Sequence, residues 1–299
     1  MKSISKPFGF ISVMLMVLAA NLSADASRQP DWALIGLTEA KQDAGYWLKR
    51  APLGEQLLMD TASITNRNVA LLTSESSMMY WPSLTDSLSA EEIRTRIESL
   101  SKRPTTALFK SGDQTVSPAD IDAWMDNLNL EGITASDNRM LGLVVVRTAL
   151  RRFPSSMRAY DRNGGVDIDR LQESALFPGT PVAILHESRD GKWFFIQAEN
   201  YAAWASAEAI GIGLRENVMA YATRQPRRHI TGSQVRTAFH PYAKQVSELL
   251  LDMGGSYPLM TDWPLSKPVN GQGALGSWII QLPLRLDNGI LHFKPALLP

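Results

Sequence analysis

Pro181-Val182-Ala183-Ile184-Leu185 and Trp193-Phe194-Phe195-Ile196-Gln197, with Arg189-Asp190-Gly191 between them, decide the fold of this chain. Two short β-prone runs on either side of an Asp-Gly turn are a hairpin signal. Working outward, the same grammar recurs. Leu141 to Val146 is a further β-rich run. Trp278, Ile280, Leu282, Leu284 and Leu286 alternate with other residues, which predicts a strand with one buried face. Asp287-Asn288-Gly289 turns that strand into Ile290 to Phe293. Pro283 inside it predicts an edge strand or a bulge, because proline brings no N–H to a ladder. Several short strands with turns between them point to small barrels, not to a parallel sheet.

Upstream of Met140 the pattern is helical. Ser89 with Glu92 forms a capping box, in which each side chain satisfies a backbone donor at a helix start. Ile93, Ile97 and Leu100 follow on one apolar face, and Pro104 ends the segment. Ser117 before Pro118 is a second start, with proline at the first helical position, where its missing N–H costs nothing. Ile121, Trp124, Met125 and Leu128 then repeat at helical spacing, so both helices are expected to pack on something.

Composition narrows the function. The 299 residues carry 30 basic and 30 acidic side chains, a formal charge of zero. Nucleic-acid binders need excess Lys/Arg to displace phosphate counterions, so that class is disfavoured. Hydrophobic residues make up 44% and charged residues 20%, enough apolar surface for a core. Cysteine is absent, which excludes disulfides, thiolate metal sites and a cysteine nucleophile. Lys2 and Lys6 precede the uncharged run Phe8 to Ala20, and Ala24 and Ala26 form an A-x-A pattern. Residues 1–26 are therefore expected to be an export signal cleaved after Ala24 or Ala26, leaving a periplasmic or secreted protein with no stable membrane span.

Chemical motifs are sparse. His186, His229, His240 and His292 have no ligand-spaced neighbours, so no metal or other cofactor is expected. Gly271-x-Gly273-x-x-Gly276 matches a dinucleotide fingerprint by letter, but it leads into a strand and not a helix, and is read as a loop. Asp161, Asp167, Asp169, Glu173 and Asp190 crowd one region. They are read as solvated turn carboxylates, against the alternative of an acid/base pair. Asp190, Trp193, Tyr201 and Trp204 are the candidate binding residues, since aromatics on a small barrel can stack on a sugar or peptide. No catalytic residue is assigned.

Arg147 to Gly213 resembles the first bacterial SH3 domain of NlpC-type cell-wall peptidases. The resemblance is carried by Arg147-Thr148-Ala149-Leu150-Arg151-Arg152-Phe153-Pro154, by Asp167 through Val182, by Ser188 through Trp193, and by Tyr201-Ala202-Ala203-Trp204. Tyr46 to Arg50 and Ser63 to Asn68 are similar to that family's N-terminal stabilising segment. Leu251 to Gly254, Val269 to Gln272 and Leu282 to Arg285 are similar to its second SH3-type domain. The resemblance implies an α+β multidomain fold: a helical stabilising domain over 27–140, a first SH3-like barrel over 141–213 and a second over 214–299. It also implies a cell-wall address. In such peptidases these modules precede a papain-like domain that cuts the γ-D-glutamyl to diamino-acid bond of peptidoglycan stem peptides with a Cys/His pair. This sequence ends about where that domain would begin, and it holds no thiol. Two expectations follow. The first is a non-catalytic exported protein that binds peptidoglycan peptide or glycan. The second is the non-catalytic half of a split peptidase, with an apolar face near Leu291, Phe293 and Leu297 docking a separate catalytic chain.

Overall fold

The computed structural model describes residues 38–74, 78, 88–111, 114–135, 140–162, 167–264 and 266–299, so the expected export signal lies outside the described residues. The chain divides into two units, Met1–Ile64 and Thr65–Pro299. Short helices α1 (Glu39–Gln42) and α2 (Ala44–Leu48) belong to the first, and α3 (Thr61–Ser74) spans the division. None of these three helices holds a buried residue.

In the second unit both expected helix starts are present, and the second carries a capping box that was not expected. Helix α4 (Ala90–Leu100) starts where Ser89 Oγ accepts the Glu92 N–H at 3.2 Å and the Glu92 carboxylate accepts the Ser89 N–H at 2.8 Å. Helix α5 (Pro118–Asn127) starts in the same way on Ser117 and Asp120. Ile93 and Ile97 of α4 and Trp124 of α5 are buried, as an amphipathic face requires.

The helices lie on one antiparallel sheet. Its strands are β1 (Met140–Val144), β2 (Thr148–Arg151), β3 (Gln172–Leu176), β4 (Pro181–Glu187), β5 (Trp193–Gln197), β6 (Ala202–Ser206) and β7 (Ile210–Gly213), in the spatial order β3-β2-β6-β5-β4-β1-β7. The decisive hairpin is β4–β5, and Gly191 at its tip has φ 69°, where a Cβ would be strained. The continuous apolar run of β5 reflects burial on both faces. Phe194 and Ile196 point into a cluster with Val144, Leu150, Val182 and Ile210. Phe195 points the other way, beside Trp204, into a cluster with Ile93, Ile97, Trp124 and Leu128 of the helical segment. Trp193 alternates onto the Phe195 face, at the start of the strand, and is half-buried there. Helices α4 and α5 thus share one core with the sheet.

Helix α6 (Arg215–Thr223) follows the sheet and buries Val218 and Tyr221. The remaining strands form three two-stranded ladders where a second barrel was expected: β8 (Arg227–His229) with β11 (Ser256–Pro258), β9 (Gln234–Arg236) with β10 (Leu250–Asp252), and β12 (Trp278–Arg285) with β13 (Leu291–Leu298). They surround a core of their own that includes Ile230, Leu251, Tyr257, Ile280, Leu282, Leu284 and Ala296. The alternating strand needs correction at its ends: Trp278 and Leu286 are exposed. Its opposite face is partly covered too, because Ile279 packs with Val269 and Leu297. Pro283 lies opposite Phe293 in a ladder of two strands, which is an edge position. The glycine triplet over 271–276 is a loop leading into β12, as expected.

Candidate functional site

The tip of the β4–β5 hairpin is pinned to the end of α5. Arg189 N donates to the Asn127 carbonyl at 3.2 Å and Asp190 N to Asn127 Oδ1 at 3.1 Å. Asn127 Nδ2 donates in turn to the Pro154 carbonyl at 2.8 Å, so one amide ties three segments together. Arg189 adds ion pairs to Asp126, at 3.1 Å, and to Glu131. Inside the turn, Ser188 Oγ donates to Asp190 Oδ1 at 2.7 Å and accepts the Trp193 N–H at 3.0 Å. Asp190 Oδ1 also accepts the Lys192 N–H at 3.0 Å. Burial opposes ionisation of Asp190, but these bonds outweigh it and leave its carboxyl below the ordinary range. Asp190 therefore caps its own turn.

Between α5, residues 154–157 and this tip lies an open groove of about 550 Å³. Trp124 and Met157 supply apolar lining, with Trp124 stacked on Phe153 at 5.3 Å, and Trp193 and Lys192 form the hairpin side. Its size falls within the range of ligand sites, and it joins an aromatic ring to convergent polar groups. Asp120 lies at one end. The Lys110 ammonium at 2.8 Å, together with bonds from Ser117, holds its carboxyl down to about 2. A carboxyl depressed on folding contributes stability above its ordinary value of 3.8, and that contribution is lost as the pH falls toward 2. Urea midpoints followed from about pH 5 to about pH 2 should drop by the equivalent of about 1 kcal/mol through this group, and Asp120→Asn should flatten that part of the slope.

Of the four residues proposed from sequence, the structure brings together Asp190 and Trp193. Tyr201 lies elsewhere, on a groove lined by Glu91, Arg96 and Leu100. Its hydroxyl donates to Glu173 at 2.8 Å, and burial with that carboxylate pushes its pKa up to about 12. Trp204 is a correction. It has no exposed surface, lies edge-on to Phe195 at 5.4 Å, and donates from Nε1 to Ser101 Oγ at 3.2 Å, so it cannot meet a ligand. Lys192, Trp124 and Asn127 carried no motif, and only the docking of α5 against the hairpin makes them part of a site.

The carboxylate cluster is also resolved. Asp161 pairs with Arg170, and Asp167 with Arg162 at 3.0 Å. Asp169 is not solvated: it is buried against Arg151 and accepts the N–H groups of Ala159, at 3.2 Å, and Leu171, at 3.0 Å. Two of the four histidines, His186 and His240, are buried. His186 Nε2 lies 3.1 Å from the Leu128 carbonyl and 3.0 Å from that of Asn129, and burial lowers its pKa. His240 accepts the Leu297 N–H at 3.2 Å, and burial lowers its pKa as well. Among the described residues no group of His and carboxylate side chains is arranged to hold a metal ion. None of their helices is long and apolar enough to cross a membrane.

A family profile described as SH3 domain (SH3b1 type) matches residues 158–206, a stretch that contains β3 to β6 and the hairpin side of the groove. No curated protein matches the sequence. Among solved structures the chain is similar to an NlpC/P60 endopeptidase from Photobacterium damselae subsp. piscicida, with a TM-score of 0.58 and 17% identity over 80% of this chain and 52% of that one. The chain thus spans about half the length of that structure, and the likeness is one of fold.

Proposed function

We propose that this is an exported cell-wall protein that binds peptidoglycan through the groove between α5 and the β4–β5 hairpin, without cutting it. The observation that carries this reading is Trp193, a half-buried aromatic side chain that lies within the SH3b-type match and lines the groove from its hairpin side. The fold likeness to an NlpC/P60 endopeptidase supports the wall address. The cysteine chemistry of such enzymes needs a thiolate, and these 299 residues hold none. The helices and the ladders over 227–298 serve in this reading as the stabilising and second SH3-type parts of the scaffold.

The test is sedimentation of the purified protein with isolated peptidoglycan. Trp193→Ala should weaken retention about tenfold, the effect of losing one aromatic anchor, with the far-UV spectrum unchanged. Equal retention of the two proteins would remove the groove from the reading.

A second reading, in which a separate NlpC-type catalytic chain docks here, is favoured by a mainly apolar cavity of about 620 Å³ that includes Met140, Leu214, Ile290 and Phe293. Of the docking face expected from sequence, Leu297 drops out because it is buried. Stem-peptide hydrolysis that needs both chains, with a stable complex on gel filtration, is the result this reading requires.

A further inference from the structure

Five charged side chains line the groove, and four of them are answered within the protein. Asp120 meets the Lys110 ammonium at 2.8 Å. Asp126 and Arg189 meet each other at 3.1 Å, and Arg189 also binds Glu131. Asp190 is engaged by the Ser188 hydroxyl and the Lys192 N–H. The fifth is different. Among the described residues the Lys192 ammonium has no hydrogen-bond or ion-pair partner, the Asp190 carboxylate acting on it only through space, and the indole N–H of the adjacent, half-buried Trp193 has no partner either. Both unanswered groups are donors, and one carries a full positive charge.

We infer that the groove recognises a peptide by a carboxylate, which Lys192 binds while the Trp193 ring packs on the aliphatic carbons beside it. This rests on the wall-binding reading above and deepens it by naming the ligand chemistry as anionic peptide, not neutral glycan. A sugar hydroxyl would satisfy the indole but give the ammonium no charge-assisted bond. A cationic segment would be repelled by it. A carboxylate satisfies both, with the charge-assisted bond the stronger of the two.

The experiment is a calorimetric titration of the full chain with synthetic stem peptides and with a peptide-free wall oligosaccharide. One peptide has its carboxylates free, a second has all of them amidated, and two more are amidated only at the internal glutamyl or only at the C-terminus. The free acid should bind about tenfold tighter than the full amide. Lys192→Gln should reduce that ratio to about one, and Lys192→Arg should preserve it. The singly amidated peptides then show which carboxylate is held. Lys192 is exposed, so its substitution leaves the fold intact, and a thermal melt checks this. Equal affinity of wild type for acid and amide overturns the inference while leaving wall binding in place, as does tight binding of the oligosaccharide alone. Persistence of the acid preference in Lys192→Gln overturns the role of Lys192. Failure of every peptide, the oligosaccharide and intact peptidoglycan to bind overturns the underlying reading itself.

Discussion

Trp204→Ala is expected to destabilise the protein by about 3–5 kcal/mol, the range for removing a large aromatic side chain from a packed core. The indole has no exposed surface. It sits between the sheet and α4, edge-on to Phe195 at 5.4 Å and to His186 at 6.1 Å. Its N–H donates to Ser101 Oγ, which itself donates to the Arg152 carbonyl at 2.7 Å, so truncation also opens a buried polar chain. A urea midpoint lowered to match, with little change in slope, is the expected result. Retention on peptidoglycan should fall only in proportion to the unfolded fraction. A variant of native stability that had lost retention would show that Trp204 touches the ligand after all. The contrast with Trp193→Ala, where binding falls and the fold persists, separates two tryptophans that sequence alone places in one class.

Asp169→Ala should cost a similar amount, about 3–5 kcal/mol, because it leaves a buried guanidinium uncompensated. The Arg151 and Asp169 side chains are 6% and 10% exposed. Arg151 also donates to the carbonyls of Ser155, at 3.1 Å, and of Met157, while Asp169 ties Ala159 and Leu171 into the same loop. The loss should be strongly non-additive. Arg151→Met with Asp169→Leu should recover much of it, since replacing both partners removes the unpaired charge as well as the attraction. Chemical denaturation of the two single variants and the double variant checks this. A single-variant cost below about 1 kcal/mol would mean that water reaches the pair. The result also bears on function: an aspartate held this way has no free oxygen to offer as an acid or base.

Much of the local architecture was legible in the residues. Ser89 with Glu92 closes one helix start, and Ser117 before Pro118 marks the other. Gly191 supplies the positive φ of the hairpin tip. These features involve residues within a few positions of each other, where spacing fixes geometry. The carboxylates were less legible, because Arg151 and Asp169 are eighteen positions apart and nothing in either neighbourhood announces the other. The site was least legible. Asn127 and Asp190 meet across 63 positions, and it is that contact which gives the groove its third wall.

Sequence by itself determined the periods, the caps, the turns and the absence of any thiol, since each depends on the identity and spacing of near neighbours. Tertiary structure decided which aromatic rings reach solvent. A strand's pattern shows that both of its faces are apolar, but how far a distant helix covers one of them is settled only by packing. Here the helical cover closes over Trp204 and leaves Trp193 half open at the strand's start.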